Sequence, residues 1–428
     1  MTRVGLAVHR TFHAIGHSRN FRLFFIGQAV SVTGTWMHSV ASAWLVLQIT
    51  HSGVALGIQA ALNFGPILLL GAWGGALADR GDKHRILLGT QAAFGILALA
   101  MWAVVQTDVV QLWMVYGLSL LQGIVTAVDN PTRQSFFAEM VEERDLTNAV
   151  SLNSAVMTGT RIVGPALAGL LIATAGMAPV FLVNAISYLA VIAGLLVMRR
   201  DELRRTPRAA EGRVIREGFR YAWETPALRV PIVLMAVVFL FSFNFSVLLP
   251  LLAERDLHGD AGTLGSLLAV MGVGSLIGAL AVAGRVRPTP ERLSWASIGL
   301  GLATLLVASA PSLSPVLVAL IPLGFVGVVF MITGNSALQL TARPDMRGRV
   351  MAIYAIVFLG GTPIGAPISG WIAEVFGARI GLAFGAVIAI AAGVAALRTL
   401  AGKRLRPEPA AAAVPGGLSG VPADASVT

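Results

Sequence analysis

The sequence predicts an all-α membrane protein, with twelve transmembrane helices in two pseudo-symmetric six-helix bundles. Three observations carry that expectation. The 428-residue chain is 56% hydrophobic and 12% charged, against about 25% charged in soluble domains. It cannot cover its own surface with polar groups and must use lipid as part of its solvent. Apolar runs long enough to span a bilayer recur along its length, and basic residues gather in alternate loops.

Each span needs about 20 apolar residues. Qualifying segments lie near 22–47, 53–77, 86–106, 110–130, 149–173, 178–198, 228–252, 262–284, 293–310, 314–336, 350–374 and 378–399. One set of loops carries Arg80, Lys83 and Arg85; Arg133 and Arg144; the run from Arg199 to Arg220; Arg285, Arg287 and Arg292; and Arg343, Arg347 and Arg349. Both termini add Arg19, Arg22, Lys403, Arg404 and Arg406, whereas the opposite loops hold only Arg255 and Arg379. The asymmetry predicts cytoplasmic termini and an even number of spans.

The net charge of +10 is therefore read as topology and contact with anionic lipid rather than nucleic-acid binding. There is no cysteine, which excludes disulfides, thiol catalysis and cysteine-ligated metal. No nucleophile–base pair, metal cluster or phosphate loop is visible, so neither an enzyme nor a cofactor is expected. The first apolar run, Phe21 to Leu47, is too long for a cleavable signal and lacks a small-residue cleavage site.

The domain plan is residues 1–199 and 228–402 as the two halves, with a central cytoplasmic loop at 200–227 and a disordered cytoplasmic tail at 403–428. In the central loop, Val214, Phe219, Tyr221, Ala222 and Trp223 mixed with Arg216 and Arg220 predict a short interfacial helix. It is either a strap coupling the halves or a lipid-anchored linker. An internal repeat supports the division. Gly159, Gly164 and Gly169 in the fifth span match the spacing of Gly360, Gly365 and Gly370 in the eleventh. Two six-helix halves around a midplane site is a transporter plan.

After the second span the chain reads Gly75-Ala76-Leu77-Ala78-Asp79-Arg80-Gly81-Asp82-Lys83-His84-Arg85. This resembles the signature loop of the major facilitator superfamily, with Asp82 where the family usually has glycine. The resemblance implies the major facilitator fold and a conformational gate built from Gly75, Asp79, Arg80, Lys83, Arg85, Asp129 and Arg133. In it Asp79 and Lys83 act with Asp129 to latch the halves in the outward-facing state. On residue chemistry alone, the small residue permits close helix approach and the acid can meet a neighbouring helix N-terminus. Ordinary positive-inside charge explains Arg80 and Arg85, but not a lone Asp79 at the membrane edge.

The fifth span, with Gly159, Gly164, Pro165 and Gly169, resembles the antiporter motif of the same family, with Ala168 replacing one of its paired glycines. The motif is associated with export; simple helix packing also explains it. Arg161 lies inside this span, where an arginine is costly unless it faces protein or water. It is expected to bind an anionic group or bias a proton site, or else to snorkel or pair with Asp129. His38 in the first span is a proton carrier or a hydrogen-bonded structural histidine. No carboxylate is expected deep in any span. Gln28, Gln59, Asn63, Gln122, Asn184, Tyr188, Asn244 and Asn335 complete a sparse polar set, each alone more readily an interhelical hydrogen bond than a ligand contact. Together they suit a mostly apolar cavity for an amphipathic molecule.

Asn20-Phe21-Arg22-Leu23-Phe24-Phe25 with Gly27-Gln28, Asp129-Asn130-Pro131-Thr132-Arg133-Gln134, and Asn184-Ala185-Ile186-Ser187-Tyr188 are similar to one branch of the superfamily. That branch contains the bacterial enterobactin exporter and macrolide or multidrug efflux proteins. It implies a monomeric exporter of a drug or siderophore in the bacterial cytoplasmic membrane, driven by proton antiport. A nutrient importer and a non-transporting scaffold or sensor are the alternatives.

Overall fold

The computed structural model describes residues 17–204, 214–282, 288–344 and 346–404. Arg285, Arg287, most of the central loop and the tail from 405 onward lie outside the described residues. The first six spans are α1 (Arg19–Thr50), α2 (Gly53–Arg80), α3 (Lys83–Gln106), α4 (Leu112–Met140), α5 (Glu143–Ala175) and α6 (Ala178–Val197). After a short helix α7 (Val214–Glu224), the seventh span is formed by α8 (Pro226–Phe241) and α9 (Phe245–Leu251), the latter running into a π-helical turn, Leu252–Asp256. Spans eight to twelve are α10 (Ala261–Val282), α11 (Pro290–Ser309), α12 (Leu313–Thr341), α13 (Arg347–Phe376) and α14 (Ala378–Arg404).

Among the described residues, eleven spans are long and apolar enough to cross a membrane. The exception is α1, which has the length at 32 residues but carries buried Gln28, Ser31, His38 and Ser42. Its polar side chains face protein rather than lipid, which is why composition alone undervalues it. Large apolar side chains elsewhere point outward, among them Leu69, Leu280, Val318 and Leu340. On a water-soluble protein these would be a liability; in a bilayer they are the solvent-matched surface.

Local chemistry sets several helix starts. Ser18 accepts from Phe21 N, Ser52 from Ala55 N, Asp82 from Arg85 N and Thr289 from Arg292 N, each satisfying a donor that the first turn leaves free. Asp82, where the family has glycine, is thus the N-cap of α3. Two boundaries differ from the sequence reading: α4 continues to Met140 and α5 begins at Glu143. Both helices project past the apolar segment, because helix propensity does not stop at the lipid boundary. The seventh span is interrupted at Ser242–Asn244. Asn244 Nδ2 donates to the Leu240 carbonyl (2.8 Å) and to Ser369 Oγ (2.9 Å), and Ser242 Oγ donates to the Gly385 carbonyl (2.7 Å). Side chains thereby satisfy backbone groups that the broken helix exposes.

Packing repeats with a six-span shift. In the first half α2 packs on α4, and α1 on both α6 and α5, while α3 packs on α6. In the second half α10 packs on α12, and α8 on both α14 and α13, while α11 packs on α14. Two seams join the halves, α2 with α13 and α5 with α10, and these also exchange under the shift.

The glycines make the correspondence atomic. A Cβ on Gly164 would meet Trp36 Cβ on α1, and one on Gly365 the Leu240 carbonyl on α8. Gly169 lies on Gly265 of α10, and Gly370 on Gly53 of α2. Gly123 lies on the Asn63 carbonyl, and Gly324 on the Met271 carbonyl. Small residues permit these backbone contacts, which drive helix association where lipid removes the hydrophobic push.

The amphipathic α7 docks on the second half. Glu217 pairs with Arg349 (2.7 Å), and Tyr221 Oη accepts from Arg343 N (3.2 Å). Phe219 and Trp223, both exposed, stack with ring centroids 5.7 Å apart. That is the disposition of an interfacial helix.

Candidate functional site

The first half holds a buried polar cluster near the end of the bundle that carries the chain termini. Asp129 on α4 is fully buried. Its Oδ1 accepts from Thr90 Oγ1 (2.7 Å) and Gln91 Nε2 (2.8 Å) of α3. Its Oδ2 pairs with Arg133, one helical turn on, and Arg133 also donates to Gln28 Oε1 of α1 (3.0 Å). The carboxylate is therefore ionised, multiply hydrogen-bonded and shared among three helices. The sequence reading had no carboxylate deep in a span, and Asp129 corrects that.

The gate residues are arranged differently from the resemblance. Lys83 pairs with Glu139 (2.5 Å), not with Asp129, and both partners are buried. Glu139 lies beyond the apolar part of α4, so only the helix's extension to Met140 brings it to α3. The close glycine is Gly74, whose Cβ would strike the Ala127 carbonyl; Gly75 faces open space. One residue rotates the helix face by about 100°. Asp79 and Arg80 are exposed at the end of α2, and Arg85 pairs with Asp82.

A direct consequence concerns stability. Glu139→Ala leaves Lys83 buried without its acid, a change that costs about 3–5 kcal/mol. Glu202→Ala removes an exposed partner of Arg199 and is expected to cost less than about 1 kcal/mol. Thermal denaturation of the detergent-solubilised variants compares the two.

In the fifth span, Gly164, Pro165 and Gly169 line the contacts with α1 and α10, whereas nothing approaches Gly159. Arg161 does not pair with Asp129. Its guanidinium sits over the Trp36 ring of α1, 5.2 Å from the centroid. Its direction follows from the helical wheel at about 100° per residue. Val163, Leu167 and Leu170 are exposed on one side of α5 and face lipid. Gly164 marks the side toward α1, and Ile162, Pro165 and Gly169 the side toward α10. Arg161 falls between these two contacts, opposite the lipid face, yet is exposed. It therefore opens into the cleft between the halves.

The remaining polar candidates divide. His38 is buried against Phe181 (centroids 4.8 Å), and its Nδ1 has no hydrogen-bond partner. Tyr188 Oη bonds Thr35 (3.2 Å) and its ring stacks on Phe94. Asn184 is buried with an unpartnered Nδ2, and Gln59 is buried in α2. Asn63 Nδ2 donates to Gln122 Oε1 (3.2 Å), tying α2 to α4. Asn244 serves the break in the seventh span, and Asn335 accepts from Gln339 on its own helix (2.7 Å). The set is thus dispersed: most members join helices within one half.

At the end remote from the termini, polar links cross between halves. Ser52 Oγ (2.6 Å) and Val54 N (2.9 Å) donate to Glu374 Oε2. His51 Nδ1 lies 2.7 Å from Glu254 Oε1, and Arg255 donates to the His51 carbonyl. His51 holds a left-handed turn (φ 50°) that presents this carbonyl. Beneath the links, Gly53 and Gly57 meet Gly370 and Pro367.

Two mirrored six-helix halves, joined along two glycine seams and enclosing a cleft with an exposed arginine, define a multi-pass membrane transporter of small molecules. The chain belongs to the transmembrane secretion effector family of the major facilitator superfamily, whose model matches residues 13–413. It is 28% identical over 265 residues to the staphyloferrin A transporter of Staphylococcus aureus, covering 60% of this chain and 66% of that one. It is 28% identical over 357 residues to the multidrug efflux pump Tap of Mycolicibacterium fortuitum, covering 80% and 87%. In fold it is similar to a bacterial homologue of the lysosomal transporter Spinster in an inward-facing, unoccupied conformation. There the TM-score is 0.73 at 15% identity, covering 91% of this chain and 98% of that one.

Proposed function

We propose that the protein exports a small amphipathic molecule, a drug or a siderophore, across the bacterial cytoplasmic membrane. It works as a monomer with both termini cytoplasmic, by alternating access coupled to proton antiport. The observation that carries this reading is the closure of one end of the cleft. Loop 50–54 of the first half is bonded to Glu254, Arg255 and Glu374 of the second. With the termini inside, the closed end is the outer one, and the arrangement is the inward-facing member of an alternating pair. The multidrug pump among its relatives supports export. His38 and Asp129, buried titratable groups of the first half, are the candidate proton carriers.

The test is accumulation of drugs and siderophores in cells with and without the protein, before and after a protonophore. Lower accumulation in expressing cells, abolished by the protonophore, is expected; equal accumulation for all compounds removes the exporter reading. The cytoplasmic gate has its own check. Asp79 is exposed in this inward-facing form and is proposed to latch the halves only in the outward-facing one. Asp79→Asn is expected to slow transport on the order of tenfold, a bias of ~1.4 kcal/mol between states. A wild-type rate at equal expression rules the latch out.

A further inference from the structure

Arg161 is the charge in this cleft that the protein leaves unanswered. Among the described residues, the charged side chains well inside the spans are Asp129, Arg133 and Arg161. The first two neutralise each other. Arg161 has Trp36 as its described partner and no hydrogen bond or ion pair to a described residue. An indole face attracts a cation but does not neutralise it.

The depth makes the vacancy costly. Arg161 is 14 residues from Ala175, the outer end of α5, and Trp36 is 14 residues from Thr50, the outer end of α1. Both lie about 21 Å below those ends. In a hydrocarbon layer about 30 Å thick, that is roughly 6 Å to the cytoplasmic side of the middle. A cation held there costs at least a few kcal/mol unless water or an anion answers it.

The arrangement is also built rather than incidental. Gly164 lets α1 approach so closely that an added Cβ would stand 2.5 Å from Trp36 Cβ. On the other side of α5, a Cβ on Gly272 would lie 3.3 Å from the Arg161 carbonyl. Arg161 is thereby fixed between two helices of opposite halves. The indole takes one face of the guanidinium and leaves its N–H edge open, the geometry that grips carboxylate or sulfonate with paired hydrogen bonds.

We propose that Arg161, seated on Trp36, is an anion-binding subsite of the cleft, and that the ligand is an organic anion carrying an apolar or aromatic body. The proposal rests on the transport reading for calling that ligand a substrate; the site itself is read by binding. Because the site lies on the seam between α5 and α10, an anion there touches elements of both halves.

The experiment uses the full chain in phosphatidylcholine nanodiscs, with empty discs subtracted. The probes are a matched pair, anionic anilinonaphthalenesulfonate and neutral N-phenylnaphthylamine, whose fluorescence rises on binding. The wild-type protein is expected to prefer the anion. Arg161→Gln weakens anion binding about tenfold or more, the scale of one charge-assisted contact, and leaves the neutral probe unchanged. Arg161→Lys, which keeps the charge and loses the fork, falls between them and controls for folding. Phosphatidylglycerol in the discs distinguishes sources: competition at Arg161 assigns the site to a lipid headgroup, and lack of competition to a solute. Equal affinity of the wild type for both probes, or parallel loss of both in Arg161→Gln, overturns the proposal. Failure of the export assay with the anion preference intact would refute transport and leave the site.

Discussion

Asp129→Leu is expected to destabilise the first half by about 3–5 kcal/mol, the usual result of stripping one partner from a buried ion pair. The carboxylate is fully buried, and three side chains converge on it from α3 and α4. Leucine leaves Arg133 as a largely buried cation whose described side-chain acceptor is Gln28 Oε1. Arg133 Nε already lacks a partner, so there is no reserve of hydrogen bonding to absorb the loss. Thr90 keeps its bond to the Leu87 carbonyl, but Gln91 Nε2 loses its acceptor. Heating the detergent-solubilised variant and following its monodisperse fraction measures the effect. The double variant Asp129→Leu/Arg133→Leu removes both charges and is expected to recover most of the loss, since a buried pair is often replaceable by apolar volume. If the double variant is as unstable as the single one, the pair is not the source of the cost.

The spans were legible because lipid imposes one composition on every crossing segment. The repeat was legible because glycine spacing maps directly onto backbone contact: the offset between Gly164 and Gly365, and between Gly169 and Gly370, reappears as equivalent packing in the two halves. Partnerships were much less legible. Lys83 meets Glu139 across 56 residues of sequence, a meeting decided by how far α4 continues beyond the apolar run. Gly74 and Gly75 differ by one position, and only the rotation of α2 decides which touches α4. The break in the seventh span had a signal, Ser242 and Asn244 inside an otherwise apolar stretch. It was read as a cavity contact, although Asn244 spends its amide on backbone and Ser369. Arg161 was picked out because a charge inside a span is rare; its stacking partner lies on another helix, 125 residues away, and nothing local pointed to Trp36.

Gly57→Leu is expected to abolish transport, to less than about a tenth of the parent, while leaving the chain folded. The first atom of a side chain at this position would sit 2.5 Å from Pro367 Cα and 2.6 Å from the Ala366 carbonyl. Neither is the end of a flexible side chain, so α2 and α13 must separate. In lipid no hydrophobic force presses them back, because close packing itself is the attraction between spans. The pseudo-symmetric contact, Gly265 with the Pro165 carbonyl at 2.7 Å, gives Gly265→Leu the same expectation on the other seam. The sequence contains no cysteine, so a single introduced thiol reports on the closed end without background. Leu251 is fully buried, with Cδ1 2.9 Å from where a Gly53 Cβ would stand, directly beneath the polar links. In Leu251→Cys, an impermeant maleimide added from outside should label poorly. Adding Gly57→Leu should raise labelling several-fold, whereas Gly71→Leu, on the same helix in open space, should not. Unchanged labelling with Gly57→Leu would mean that the polar links of His51 and Ser52 hold the outer end closed without the glycine seam.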